Sequence, residues 1–330
     1  MIRILSFSFS IVLVVGPAAA VEVGEQVQRH GDEIMVCGQL FHTTAPVVLW
    51  LDPAGYDAYR VERRFGPIEE SSWEEAAKEL PDSATPNRYG IRKDGLDREQ
   101  LERVRGGGWD LPMLQSVVDQ FVMHYDVCGT AQTCFRVLHD ERCLSVHFML
   151  DVDGTIYQTL DVKDRAWHAT ISNSRSIGVE IAQIGAYPPD KTAALEKWYA
   201  PRPDGTIELR PPRPFDTFAV RTNPFHGRPD RPELIRGTIQ GRDLVQYDFT
   251  PEQYDSLIKL TATLCKIFPK IKCDYPKDAD GTLIPQMLSK DDWQNFQGVL
   301  GHYHIQRNKT DPGPAFNWEK VVGGAKELLK

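Results

Sequence analysis

Asp153-Gly154 separates two short runs of strand-like residues, Ser145 to Val152 and Thr155 to Leu160. An Asp-Gly pair in that position is a hairpin signal, because the favoured two-residue turn needs positive φ at both central positions. A lone hairpin is barely stable in water, so the rest of the chain must complete a sheet around it. Phe121-Val122-Met123 is an apolar run ending in a polar residue, and it reads as a buried strand with His124 at its tip. Ser176 to Gln183 reads as another strand. On it Ile177, Val179 and Ile181 face one way, and Gly178, Glu180 and Ala182 face the other. Glu180 therefore projects between two very small neighbours, which leaves open space around the carboxylate, as a cleft floor would. Val47 to Leu51 is a further strand.

Helix signals alternate with these strands. Residues 71–80 look helical. Asp97 with Gln100 makes a capping box for a short helix that stops at Gly106-Gly107-Gly108. Thr250-Pro251-Glu252-Gln253 opens a strong helix whose apolar stripe runs Tyr254, Leu257, Ile258, Thr261, Leu264, Cys265, Phe268. That stripe is core packing. Asn317 caps a last helix. Residues 186–248 are rich in Pro, Arg and Asp and weak in periodicity, and they read as a long insertion or elaborated loop. There is no internal repeat. The class is α/β or α+β.

Of the 330 residues, 41% are hydrophobic and 25% charged, which excludes collagen, a coiled coil and a largely disordered chain. The length suits one large domain or two smaller ones. A formal net charge of -8 argues against nucleic acid as the main partner, since phosphate binding relies on clustered Lys and Arg. Met1 to Ala20 reads as a secretory signal peptide, with Arg3 at its start, an apolar stretch from Ile4 to Val15, and Ala18-Ala19-Ala20 at the cut. Pro17 and the short apolar run argue against a membrane span. No cysteine sits at the cut, so no lipoprotein anchor is indicated. Export makes an even count of six cysteines favour disulfides. Cys128 with Cys134 and Cys265 with Cys273 are the local pairs. Cys37 and Cys143 remain, as a third bridge or as free thiols. No CxxC is present, so a structural zinc knuckle is not indicated.

Among the nine histidines, His30, His42, His139 and His226 read singly as surface or loop residues. His302 and His304 form an H-x-H pair that, on a strand, would share a face and chelate a metal together. Asp311 before Pro312-Gly313 reads equally as a turn residue, and Lys309 as a solvated charge. The combination is more specific. His124, Ser145-Val146-His147-Phe148, Asp153-Gly154-Thr155-Ile156-Tyr157-Gln158, Ala166-Trp167-His168-Ala169, Ser176-Ile177-Gly178-Val179-Glu180, Gly301-His302 and Lys309-Thr310-Asp311-Pro312-Gly313-Pro314 follow one another in order. Together they resemble the type-2 N-acetylmuramoyl-L-alanine amidases, the zinc amidase family that also includes the peptidoglycan recognition proteins. The resemblance covers roughly residues 110–185 and 249–325, interrupted by the insertion.

The resemblance implies a central mixed β-sheet flanked by helices, with a zinc cleft on one side. It places one zinc ion on His124, His302 and Asp311. Two imidazoles and one carboxylate leave a fourth tetrahedral position open, which is the catalytic pattern. Glu180 matches the general base, Lys309 a lysine that steadies the oxyanion, and His168 beside Trp167 a position that contacts substrate. His147 matches a structural strand histidine, and His304 lies outside the metal shell. The implied organisation is a signal peptide at 1–20, an N-terminal extension of unknown role at 21–105, and a zinc amidase domain at 106–330 with its insertion at about 186–248. The activity implied is hydrolysis of the amide between the lactyl group of N-acetylmuramic acid and L-alanine of the stem peptide. Peptidoglycan or muropeptides would be the partner, in the periplasm or outside the cell. The alternative is a non-catalytic peptidoglycan-binding module on the same fold. A third reading is a metal hydrolase built on His302 and His304 without His124. Three departures stand out. His124-Tyr125-Asp126 replaces the His-His-Thr of many relatives, the insertion has no counterpart in compact members, and residues 21–105 lie outside the resemblance. Cys128 and Cys134 echo a short disulfide loop of the recognition proteins.

Overall fold

The computed structural model describes residues 22–80 and 88–330; the expected signal peptide lies outside the described residues. The chain divides into two compact units, Met1–His30 and Gly31–Lys330. In the first, the described residues 22–30 form turns and coil, with the Glu22 amide donating to the Glu25 carboxylate at 2.9 Å.

The second unit is built on a six-stranded mixed sheet. Its spatial order is Gly298–Gly301, Gln120–Tyr125, Ser176–Ile181, Phe148–Leu150, Ile156–Gln158, Val47–Leu49. The first four strands run parallel to their neighbours, Phe148–Leu150 and Ile156–Gln158 pair antiparallel, and Val47–Leu49 returns parallel to Ile156–Gln158. The antiparallel pair is the hairpin expected at Asp153-Gly154, but residues 151–155 connect Leu150 to its partner Ile156. Of the Asp-Gly pair only Gly154 takes positive φ, 82°, so the connection is longer than the two-residue turn.

Alternation along the strands sorts their side chains into two layers. Phe121, Met123, Phe148, Ile177, Val179 and Val299 face helices Pro251–Ile267 and Trp318–Leu328 and are wholly buried. The long helix starts where expected: the Thr250 side chain accepts from the Gln253 amide, Gln253 reaches back to the Thr250 amide, and Pro251 opens the first turn. Leu257, Leu260 and Leu264 press its apolar stripe on the sheet. Each such side chain contributes about 1.5–3 kcal/mol by leaving water. Asp97 with Gln100 and Asn317 also cap their helices as read from the sequence. The opposite face of the sheet, which presents Val122, His124, Gly178 and Glu180, carries the site.

Two expectations about organisation are revised. Residues 31–105 are not a separate extension. Val47–Leu49 is an edge strand of the central sheet, and Tyr89–Ile91 pairs antiparallel with Asp164–Ala166. The segment's place in the sheets is not legible in the sequence because strands of three residues leave almost no periodicity. The insertion is ordered. It folds into helix Ala193–Trp198 and two hairpins, Tyr199–Pro201 with Ile207–Leu209 and Ile235–Ile239 with Arg242–Gln246. These pack their own apolar cluster around Leu195, Tyr199, Phe218 and Val245.

The structure holds all six cysteines as thiols. Cys128 and Cys134 hydrogen-bond with each other, as do Cys265 and Cys273, so both local pairs are neighbours without being bridged. Cys143 lies against Arg88 and Cys37 near Asp161, so these two do not form a third pair. His139, expected at the surface, is 1% exposed. Its ring is held between Asp140 at 2.7 Å and the Arg60 carbonyl at 2.8 Å. Among the described residues no helix is long and apolar enough to cross a membrane.

Candidate active site

His124 arrives at the end of its strand, His302 at the start of a short 3-10 turn after Gly298–Gly301, and Asp311 on the loop that follows. The edge strand Gly298–Gly301 and the adjacent Gln120–Tyr125 are hydrogen-bonded neighbours in parallel register, which sets the two histidines side by side. The Asp311 loop is held from two directions. The Tyr125 and Thr310 hydroxyls bond at 2.6 Å. From the insertion, the buried Gln246 side chain donates to the Pro312 carbonyl at 3.1 Å and accepts from the Ala315 amide at 3.0 Å. Gly313 is required there. Its φ is 87°, and a Cβ on it would overlap the Gln246 amide.

The atoms converge closely. His124 Nδ1 lies 3.0 Å from His302 Nδ1 and 2.9 Å from Asp311 Oδ2, and His302 Nδ1 lies 3.0 Å from the same oxygen. All three residues are buried. Proton bookkeeping decides what this triangle is for. His302 Nε2 faces Gln306 Oε1 at 2.6 Å, and a carboxamide oxygen only accepts. That bond puts a proton on His302 Nε2, which leaves Nδ1 as the nitrogen able to offer a lone pair. His124 Nε2 meets His168 Nδ1 at 2.9 Å, and His168 Nε2 meets Ser176 Oγ at 3.2 Å. When this chain donates outward, from His124 to His168 to Ser176, a lone pair is left on His124 Nδ1 as well. Burial, then the neighbouring His302, lowers the His124 pKa to about 4, so it is neutral. Burial alone would raise Asp311, but His302 and His124 overcome it and hold the carboxyl well below its ordinary range. Three lone pairs that face one another repel unless a cation lies between them. Two imidazoles, each with its outer nitrogen bonded to a neighbouring side chain, and a carboxylate are the donor set of an open zinc site.

Glu180 is paired with His124 in the parallel ladder and lines the same cavity, of about 260 Å³, with Lys309, His168 and Trp167. Among the described residues no hydrogen bond holds its carboxylate. Burial, then the charges of Asp311 and Asp126, push its pKa well above the usual carboxyl range, and Lys309 opposes them. The open space expected on both sides of Glu180 is present only in part. The His168 ring lies over Gly178, where a Cβ would overlap Nδ1. His168 thus lines the cavity and also orients His124. Trp167 forms the rim, its ring under the Arg165 guanidinium at 5.5 Å.

His147 is in the floor. Its Nδ1 accepts from the Gly178 amide at 3.2 Å, and Nε2 meets the Asp164 carbonyl at 2.9 Å. His304 is not a ligand. Nδ1 accepts from the Gly301 amide and Nε2 donates to the Ile284 carbonyl, both at 2.8 Å, so both nitrogens are used. The 3-10 turn also removes the shared face that a strand would have given His302 and His304. Chelation by that pair is overturned.

Asp126 was not singled out by its chemistry in the sequence. Its Oδ1 accepts from the amides of Cys128, Gly129 and Gln183 at 2.9–3.0 Å, and its buried Oδ2 has no partner among the described residues. Burial raises its pKa to about 7. Nothing local distinguishes it from a turn aspartate, because Gln183 comes from a different strand end.

Residues 114–202 match the family described as N-acetylmuramoyl-L-alanine amidase. His124, His168 and Glu180 lie inside the matched span, and His302, Lys309 and Asp311 beyond it. The chain is 22% identical over 223 residues to the 1,6-anhydro-N-acetylmuramyl-L-alanine amidase AmpD of Haemophilus influenzae, spanning 67% of this chain and 74% of that one. Solved amidase structures are also similar. One is AmiD of E. coli, in complex with anhydro-N-acetylmuramic acid-L-Ala-D-gamma-Glu-L-Lys, at 16% identity and a TM-score of 0.34, covering 72% of this chain and 65% of that one. Another is the endolysin LysCS of Clostridium intestinale, at 17% identity and a TM-score of 0.33, covering 66% and 88%.

Proposed function

We propose that this chain is an exported, zinc-dependent N-acetylmuramoyl-L-alanine amidase. Its substrate would be the amide between the lactyl group of N-acetylmuramic acid and L-alanine of the stem peptide, in peptidoglycan or muropeptides. The observation that carries the reading is the triangle of His124 Nδ1, His302 Nδ1 and Asp311 Oδ2, at 2.9–3.0 Å, with Glu180 beside His124 in one cavity. Zinc bound there would acidify water and polarise the amide carbonyl.

The protein groups divide the remaining work. Glu180 takes the proton from the attacking water as general base and returns it to the departing L-alanine nitrogen as the C–N bond breaks. Lys309, on the same cavity wall, stabilises the oxyanion that forms on the carbonyl. His168 holds the His124 ring in place, and with Trp167 it receives the part of the substrate beside the scissile bond.

Export rests on residues 1–20, and oxidation of the neighbouring thiols Cys128 with Cys134 and Cys265 with Cys273 would follow from it. Sequencing the amino terminus of the secreted protein tests cleavage after Ala20. The deciding experiment is zinc content of the purified protein, with product analysis on peptidoglycan, with and without a chelator. About one zinc per chain and chelator-sensitive release of peptides with a free L-alanine amine establish the amidase. Bound zinc without cleavage points instead to a recognition module.

A further inference from the structure

A second, larger cavity of about 930 Å³ shares Trp167 with the first. One wall comes from the family-matching region, with Arg165 and Trp167. The other comes from the earlier segment outside it, with Tyr59, Tyr89, Lys93 and Asp94. The two walls are joined by the ladder in which Tyr89 pairs with Ala166 and Gly90 with Arg165. Trp167 lines both cavities, and the next residue, His168, touches His124. Trp167 is thus the residue at which a ligand extending from the first cavity would meet the second.

The lining tells what continues. Tyr59 and Tyr89 pack edge to face at 4.9 Å, and the Arg165 guanidinium lies over Trp167 and bonds Ser174 Oγ at 3.3 Å. The Tyr59 hydroxyl donates to Asp164, so that ring is fixed. Rigid amphipathic rings offer apolar faces at low entropic cost. Around them the charges are mixed, with Lys93 and Arg165 against Asp94 and Asp164. A carboxylate of a stem peptide would select cations alone. A sugar ring needs an apolar surface for its C–H face together with donors and acceptors for its hydroxyl and acetamido groups, and this cavity supplies both. Its volume is within the roughly 300–1,000 Å³ of ligand sites.

We propose that the cavity between Tyr59, Tyr89, Lys93, Arg165 and Trp167 is a glycan subsite, holding a hexosamine next to the muramoyl residue whose amide is cut. The proposal rests on the amidase reading for its substrate class. It assigns the segment before residue 105 a role, which is to select glycan strands over single-disaccharide muropeptides.

Gly90 lines the cavity, and a Cβ on it would meet no atom within 4 Å, so a side chain can start from that position toward the cavity without a clash at its root. Isothermal titration of a peptide-free N-acetylglucosamine tetrasaccharide into the full chain needs no hydrolysis. The wild type binds it, and Gly90→Trp weakens binding by about tenfold or more as the aromatic contacts are blocked. Lys93→Ala combined with Asp94→Ala, both exposed, weakens it in the same direction. With disaccharide-tetrapeptide and tetrasaccharide-tetrapeptide as substrates, kcat/KM of the wild type favours the longer one. Gly90→Trp removes that preference and leaves turnover of the shorter one unchanged. Absence of tetrasaccharide binding by the wild type, or equal binding by wild type and Gly90→Trp, overturns the proposal. Binding of the free stem peptide alone, lost in Gly90→Trp, overturns it too. Glycan binding without turnover of either substrate overturns the amidase reading and leaves the subsite standing.

Discussion

Glu180 stands opposite His124 in the parallel ladder of the central sheet, and both side chains project to the same face. A proton acceptor and a candidate metal ligand are thus held by backbone register rather than by a loop. On that face the partner strand carries Ser176 and Gly178 before Glu180, and the His168 ring fills the space above Gly178. The sheet therefore holds Glu180 and His124 side by side, with the His168 ring packed over Gly178 next to them. Precise placement of this kind is what makes proximity effective in catalysis.

Glu180→Gln keeps the shape and removes the base. Because Glu180 is not one of the three converging donors, metal content should stay at the wild-type level while kcat falls by about 10²–10⁴, the usual share of general base catalysis. Metal analysis and turnover on a muropeptide read the two effects separately. Loss of metal in this variant would make Glu180 a ligand and remove it from the role of base.

Asp311→Ala removes the anionic corner of the triangle and leaves two neutral imidazoles. Zinc content should drop sharply, and the rise in Tm that added zinc produces in the wild type should disappear. A site binding at a hundred times its Kd adds about 2.7 kcal/mol to stability, which a thermal melt detects. Full occupancy in the variant would exclude Asp311 from the site.

Gly178→Ala places a methyl where the His168 ring now lies. His168 must move, and its 2.9 Å contact with His124 Nε2 is lost or stretched. Overpacking of this kind costs about 1–3 kcal/mol, so the variant should unfold at lower denaturant. It should also bind zinc more weakly by about 10–100-fold, the range for groups that orient a ligand. Unchanged zinc affinity would show that His168 does not orient His124.

What could be read in advance was local. The Asp153-Gly154 turn, the Thr250–Gln253 capping box and the strand ending at His124 each declare themselves within ten residues. What could not be read depends on contacts between distant segments. Gln246 clamps the loop at Pro312 and Ala315 from 66 and 69 residues away. Arg92 is wholly buried against the Val162 and Ser176 carbonyls and the His147 ring, in a segment that looked like an unattached extension. His139 looked exposed because its partners, Asp140 aside, lie far off at Arg60. Resemblance located the donors His302 and Asp311. The tautomer that turns their lone pairs toward His124 is visible only once Gln306 is seen behind His302.

Asp151 supplies a prediction independent of the chemistry. It is fully buried in the hairpin strand's turn, where Oδ1 accepts from the Ala131 and Val152 amides and Oδ2 has no partner among the described residues. Burial first, then the nearby Asp153, raises its pKa from 3.8 to about 8. The folded state thus holds a proton that the unfolded state releases above its ordinary value. Between those two values the unfolded chain binds fewer protons, so stability falls as pH rises, and it levels off once the folded group also ionises. Asp151→Asn keeps an acceptor for the two amides and cannot ionise. The variant should match the wild type most closely near pH 4 and exceed it by a margin that widens up to about pH 8. Denaturant midpoints measured across that range decide it. Parallel curves for the two proteins would mean that Asp151 is ionised in the fold and that its charge is compensated there.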